Sequence, residues 1–321
     1  MSIDRSGLGT IVNIATSSAT LDANVELSGG NIRLKSNGTS TTTGCTYNSA
    51  GSNSATQATG YNAGANIISA PGVAHANIFT LSNYLSVSQV TLRLRRSGTP
   101  SGNMRVKLRT SSAGVPAATV LGTSSDVLIS TASSSMSGGD ITFSFASNVE
   151  LVNGSSPALV LEQSTSAFVD GSNNFRWVVA NGAGCTAFPT YQRSTDGAVS
   201  WSTGTASSPS FFSFVAETHA TTGTAEWVLT AESGATWNLV DFDMNEDPRL
   251  LGSGTIRYDI DVGESPTSPG SYSYTNLTEA GVRAMSPSTL TGTYLYVRAN
   301  FSVSAPGFDQ AELGNGTITY R

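Results

Sequence analysis

Two stretches of this chain alternate apolar and polar residues with a strict period of two, and that period limits what the chain can fold into. In VTLRLRR, Val90, Leu92 and Leu94 alternate with Thr91, Arg93 and Arg95. In MRVKLRT, Met104, Val106 and Leu108 alternate with Arg105, Lys107 and Arg109. Successive side chains of a strand point to opposite faces, so each stretch reads as a strand with one face for a core and one for water. The intervening loop, SGTPSGN, is rich in turn formers and reads as a hairpin connection. Comparable runs recur downstream: ITFSF, ALVLE, FRWVVA, AEWVLTA, GTIRYDIDV, TYLYVRANFSV and GTITYR. Ser, Thr, Gly and Asn fill most polar positions, and charged residues make up only 12% of the chain. These residues are poor helix formers but suit short strands and turns. The expectation is an all-β protein.

The 321 residues are enough for two or three cores. Residues 1–66 read as an N-terminal extended β docking segment. TIVNIA and NIRLK are short strands, and SNGTSTTTGCTYNSAGSNSATQATG has almost nothing to bury. That composition is disordered unless something holds it, so the segment is expected to lie against a neighbouring subunit or partner. Residues 67–217 read as a jelly-roll-like antiparallel β-sandwich and 218–321 as a second, smaller one, with ETHATTG (Glu217–Gly223) as the linker.

Composition narrows function. A net charge of −6 argues against a general nucleic-acid binder. The N-terminus MSIDRSGLGT lacks the basic and apolar regions of a secretory signal, and no apolar run approaches the ~20 residues of a membrane-crossing helix. The expectation is a protein made in the cytoplasm, with assembly into a particle as one route out. On that reading Cys45 and Cys185 are two free thiols rather than a bridge.

Catalytic signals are sparse. Only two histidines occur, His75 and His219, and no G-x-S-x-G elbow accompanies them. Glu150, Glu162, Asp170 and Asp196 offer no pairing that suggests glycoside hydrolysis. The protein reads as a non-enzyme that requires no cofactor, with calcium the one ion left open. Its acidic stretch, DFDMNEDPRLLG, sets Asp241, Asp243 and Asn245 at calcium-loop spacing. The sixth position, however, is Glu246 and the twelfth is Gly252, where an EF-hand needs Gly and Glu. A loop site of Asp241, Asp243 and Asp247 stands beside the plainer reading, a solvated acidic loop.

Several central motifs carry a family likeness. GTPSGNMRVKL, an AGVP turn, ITFSF, ALVLE and a late YQRSTDGAVSW fall in sequence over roughly Pro71–Val215. This order resembles the jelly-roll modules of tailed-bacteriophage virion proteins, of tail-fibre, baseplate or decoration type. The resemblance implies a non-enzymatic structural component of the virion. It would dock through its N-terminus to other virion proteins, form a homo-oligomer, a trimer by preference, and present its sandwiches outward for host-surface glycan. A glycan-binding bacterial adhesin and a polysaccharide-degrading enzyme are the alternatives.

Two constellations fit that reading. Arg93, Arg95, Arg105, Lys107 and Arg109, with Arg96 at the strand end, put six of the 16 basic residues on one presumed hairpin. That face is either simply solvated or a subunit docking surface for an acidic patch. In YQRSTDGAVSWST, Asp196-Gly197 is a hairpin signal, and Tyr191 and Trp201 lie at similar distances either side of it. The pair reads as cross-strand neighbours closing one end of the sandwich. If the domain binds glycan, Tyr191, Arg193, Asp196 and Trp201 are the candidate residues. The tyrosines of the C-terminal region (Tyr258, Tyr272, Tyr274, Tyr294, Tyr296) read chiefly as core.

Overall fold

The protein is described by a computed structural model covering residues 10–45, 67–81, 83–135, 138–164, 168–178, 190–203, 212–231, 237, 239–247, 254–285, 290–305 and 307–320. Among these residues the chain is all-β, as its alternation predicts, and divides into two compact units. One joins Met1–Gly38 to Thr218–Arg321; the other is Thr39–Glu217.

The N-terminal strands are β1 (Thr10–Ile14), β2 (Thr20–Leu21), β3 (Val25–Ser28) and β4 (Asn31–Leu34). The central unit follows with β5 (Ser36–Cys45), β6 (Ile67–Ile68), β7 (Ala74–Ile78), β8 (Leu85–Ser97), β9 (Asn103–Ser112) and β10 (Val115–Thr123). It continues with β11 (Val127–Leu128), β12 (Gly139–Leu151), β13 (Ala158–Gln163), β14 (Asn174–Trp177), β15 (Thr190–Ser194), β16 (Ser202–Thr203) and β17 (Phe212–His219). The C-terminal part adds β18 (Thr222–Thr230), β19 (Leu239–Glu246), β20 (Thr255–Gly263), β21 (Tyr274–Leu277), the short helix α1 (Glu279–Arg283), β22 (Tyr294–Ser302) and β23 (Glu312–Tyr320).

The N-terminal strands complete the C-terminal sandwich. β23 pairs along its length with β19; its other edge takes β1 (Thr10↔Tyr320 to Ile14↔Gly316) and β4 (Leu313↔Ile32). The resulting five-stranded sheet faces a second one, β2-β18-β22-β20-β21, across a shared core. Ile14, Ile32, Leu34, Phe242 and Ile318 meet Trp227, Tyr258, Val297 and Phe301 there. The Trp227 indole donates to the Ala15 carbonyl at 3.0 Å, tying β18 to the segment after β1.

This corrects the reading of residues 10–34 as a separate docking segment: β1 and β4 pair with β23, β3 with β4 and β2 with β18, all within the same chain. Residues 46–66, the heart of the low-complexity stretch, lie outside the described residues. So does Cys185, and with it the thiol reading. The presumed linker ETHATTG is the end of β17, a turn and the start of β18. His219 is buried there, its backbone N–H donating to Gly307 O at 2.7 Å.

In the central unit, β8 lies in the six-stranded sheet β5-β17-β8-β14-β6, where it also pairs with β12. β9 lies in the seven-stranded sheet β10-β9-β13-β7-β15-β16, where it also pairs with β11. The two strands therefore form no hairpin. The loop between them carries the chain from one sheet to the other, so that both apolar rows turn inward. Val90, Leu92 and Leu94 are fully buried, as are Met104, Val106 and Leu108.

The seven-stranded sheet is buried on both sides over its middle strands. Every residue of β7 is buried, as are the first five of β13. The apolar run Ala158–Leu161 of β13 fits such two-sided burial, whereas β7 alternates Ala74, Ala76 and Ile78 with the polar His75 and Asn77. His75 and Asn77 share the inward face with Leu159 and Leu161, while Ala74, Ala76, Ile78, Ala158 and Val160 line the outward face.

Candidate functional site

An open depression of about 550 Å³ lies on the C-terminal sandwich, at the outer face of the β1–β23–β19 sheet and the start of α1. Strand register builds it. Asn13, Thr317 and Asp243 sit directly opposite one another on three adjacent strands, and Asn315 and Asn245 belong to the next outward row. Directly opposed Cβ atoms are ~5 Å apart, so the face presents amide, hydroxyl and carboxylate groups at strand spacing. Between the rows, Ile14 and Met244 point into the core. Gly316 separates them because a Cβ there would lie 2.3 Å from Met244 Sδ and 2.6 Å from Asp243 O.

Other contacts fix this lining. Thr16 N–H donates to Asn315 Oδ1 at 2.9 Å, orienting that amide, while the Thr16 hydroxyl donates to Gly30 O at 2.6 Å. Glu246 accepts from the buried Tyr258 hydroxyl at 2.8 Å. Thr278 caps α1 by accepting from Gly281 N–H at 3.0 Å, which sets Glu279 in the first turn. Burial pushes the Glu279 carboxyl up, opposed by the Arg283 charge and reinforced by Asp243 and Glu246. Arg283 bonds to Glu279 and reaches Asp241 Oδ1 at 3.0 Å and Asp243 Oδ1 at 3.9 Å.

Asp241–Glu246 of the acidic stretch thus lie on a strand rather than a loop. Asp241 and Asp243 point outward from β19 and share Arg283, while Asp247 follows the strand, its N–H donating to Glu312 O at 3.2 Å. Among the described residues, no group of three His, Cys, Asp or Glu side chains could hold a metal ion.

The structure separates the four residues of YQRSTDGAVSWST. Tyr191 is buried on the inward face, stacked on His75 with ring centroids 5.7 Å apart and its hydroxyl bonded to His75 Nδ1. Burial holds that phenol well above its ordinary pKa. Trp201 packs on the opposite, outward face against the alanine-rich patch. The two aromatics are therefore not cross-strand neighbours. β15 and β16 pair Arg193 with Ser202, and the residues between them form a strap folded back over the sheet instead of a tight Asp-Gly hairpin. Asp196 organises it, accepting from Ser194 Oγ at 2.7 Å, Ser200 N–H at 2.9 Å and Val199 N–H at 3.2 Å. Hydrogen bonds from Ser200 and Ser194 hold its carboxyl well below the usual carboxylate range. Only Arg193 and Asp196 of the four are exposed.

The basic residues are dispersed in the same way. Arg93 pairs with Asp140 at 2.9 Å on the six-stranded sheet. Arg95 is buried there, and burial followed by the Arg176 charge lowers its pKa. Arg96 donates to the Ala132 and Gly98 carbonyls. On the other sheet, Arg105 and Lys107 both grip Glu162, at 2.7 and 2.6 Å. Arg109 is buried under the strap and donates to Ala198 O at 2.9 Å. Because β8 and β9 occupy different sheets, these residues form no single docking face.

Both histidines serve the fold. His75 Nε2 bonds to the Ile67 carbonyl at 3.0 Å, and since that oxygen only accepts, Nε2 carries the proton and Nδ1 accepts from Tyr191. Desolvation lowers the pKa of His75 to about 4. His219 Nδ1 lies 3.2 Å from Gly307 O.

No family model matches the chain, and no curated protein matches it. Among solved structures it is similar to a protein of Parabacteroides distasonis inferred to be secreted, at 9% identity over 97% of this chain and 99% of that one. The TM-score is 0.22, and at that value the likeness carries no argument about fold or function. No helix among the described residues is long and apolar enough to cross a membrane.

The sequence pointed to only one side of the depression. Asp243, Asn245 and Glu246 fall in the acidic stretch it singled out. Asn13, Asn315 and Thr317 carry no local signal, since only the pairing of β23 with the distant strands β19 and β1 brings them to Asp243.

Proposed function

We propose that this chain is a non-catalytic structural component of a tailed-phage particle, assembled as a homotrimer, that presents its sandwich units for contact with neutral host-surface glycan. The outer-face depression of the C-terminal sandwich is the contact site. The observation that carries this reading is the outward display of Asn13, Thr317, Asp243, Asn315 and Asn245 on adjacent strands around that depression. Carboxamide and carboxylate oxygens accept hydrogen bonds from sugar hydroxyls, and the amide NH₂ groups donate to them. A rigid sheet holds the groups ready. The structural roles of both histidines support a binding rather than a catalytic protein. The virion assignment rests on the sequence resemblance.

Two measurements test the reading. Mass spectrometry of gradient-purified phage particles should find the chain at a copy number that is a multiple of three. Its absence from particles would sink the virion assignment. A glycan array should give neutral ligands that bind without release of product, with binding lost in Asn315→Ala and Asp243→Asn. Signals unchanged in both variants would remove the depression as the contact site.

A further inference from the structure

The strap of the central unit covers polar groups that the protein itself leaves unsatisfied. Three of them are buried without a hydrogen-bond partner among the described residues: Arg109 Nε, Gln192 Oε1 and Trp201 Nε1. All three belong to the outward face of the seven-stranded sheet. Arg109 shares a row with Ala158 and Ile78, Gln192 shares the next with Ala76 and Val160, and Trp201 packs on that patch. A buried, unmatched donor or acceptor forfeits its hydrogen bonds to water and gets nothing in return, so such a set calls for an explanation.

The guanidinium is the sharpest case. Arg109 is 9% exposed and pairs with no carboxylate among the described residues. Glu162, farther along the same face opposite Arg105, is committed to Arg105 and Lys107, and Asp196 of the strap to Ser194, Val199 and Ser200. Its partner from the strap is one neutral carbonyl, Ala198 O. To offer that oxygen, Ala198 adopts the left-handed region (φ 66°), which a residue with a Cβ takes only under compulsion. Among the described residues the strap is also tied by Gly197 N–H to Gly72 O at 2.8 Å and by Ala198 and Trp201 packed on the alanine-rich patch.

We propose that the strap is a stand-in for a ligand, and that a carboxylate-bearing sugar, such as a uronic acid residue, displaces Ala198 from Arg109. The carboxylate takes the guanidinium fork through Nε and Nη, a geometry a single carbonyl cannot fill. The apolar face of the sugar ring lies on the alanine-rich floor beside the Trp201 indole. Hydroxyls take up Gln192 Oε1 and Trp201 Nε1. This site lies in the other unit from the depression and stands whether or not the depression holds glycan.

The test is calorimetric titration of the full chain with trigalacturonic acid and with neutral galactotriose. Trigalacturonate should bind and galactotriose should not. Arg109→Gln should weaken trigalacturonate binding about tenfold or more, because a charge-assisted pair is lost. Asp196→Ala, which removes the bonds that shape the closed strap, should tighten binding by about threefold, since less closure must be undone. Thermal unfolding of each variant establishes that it is folded, and the opposite signs of the two effects separate ligand contact from a merely structural role. Absence of binding at millimolar trigalacturonate, equal binding of galactotriose, wild-type affinity in Arg109→Gln, or weaker binding in Asp196→Ala each overturns the proposal.

Discussion

Acidifying the protein from pH 7.5 to 4.5 should weaken the central unit through one side chain, His75. Its imidazole is fully buried, and desolvation lowers its folded-state pKa from 6.5 to about 4. Between those two values the unfolded chain binds a proton that the folded chain refuses. Stability from this source is therefore fully present above pH 6.5, declines as pH falls towards 4, and changes no further below that. At pH 4.5 the linkage amounts to about 2–3 kcal/mol, most of the 1.36 kcal/mol per pKa unit over the whole shift. Pulse proteolysis in urea at several pH values, reading peptides from β7 and β13 by mass spectrometry, follows this unit alone. Carboxylates such as Asp196 also titrate at low pH, so the decisive quantity is the difference between wild type and His75→Gln. The variant should be less stable at pH 7.5, by about 1–3 kcal/mol, because the buried Tyr191 hydroxyl loses its acceptor. Its stability should then fall less steeply with acid, so that the two curves converge. Parallel curves from pH 7.5 to 4.5 would refute the reasoning, whatever the absolute stabilities.

Three further outcomes follow from the packing. Gly316→Ala should destabilise the C-terminal unit by about 2–3 kcal/mol in urea melts, since Asp243 O is backbone and cannot rotate away from the new methyl. Deleting residues 1–34 should leave the C-terminal unit unable to fold alone, because β23 loses one edge and Trp227 its Ala15 acceptor; a soluble truncated protein with native circular dichroism would contradict this. Glu162→Gln should cost the central unit about 2 kcal/mol by thermal or urea unfolding. That is less than the loss of a fully buried pair, because Arg105 keeps some contact with water.

The alternation in β8, β9, β20 and β22 was enough to identify strands, because the pleat sends neighbouring side chains to opposite faces and each such run has only one face fit for a core. Two-sided burial was less legible: the apolar run Ala158–Leu161 of β13 is consistent with it, but in β7 polar His75 and Asn77 alternate with Ala74, Ala76 and Ile78 and read as a half-exposed stretch although every residue is buried. Pairing was another matter. VTLRLRR and MRVKLRT are adjacent in sequence, have matching patterns and are joined by turn formers, yet they lie in different sheets. A hairpin and a crossover between sheets bury the same apolar rows, so the local pattern cannot choose between them. The same limit hid the strap, whose Asp-Gly pair reads as a tight turn until Ala198 and Trp201 are seen packed over the sheet.

Residue chemistry by itself thus determined the all-β class, the strand segments and which face of each is apolar. Tertiary structure alone decided that β1 and β4 close the sheet of β23, that Asn13 and Thr317 join Asp243, and that Arg109 lies buried under a carbonyl. Those choices depend on contacts between residues far apart in sequence, from Asp243 with Thr317 to Asn13 with Thr317. Such contacts come into being only when the sheets close, and no local pattern encodes them.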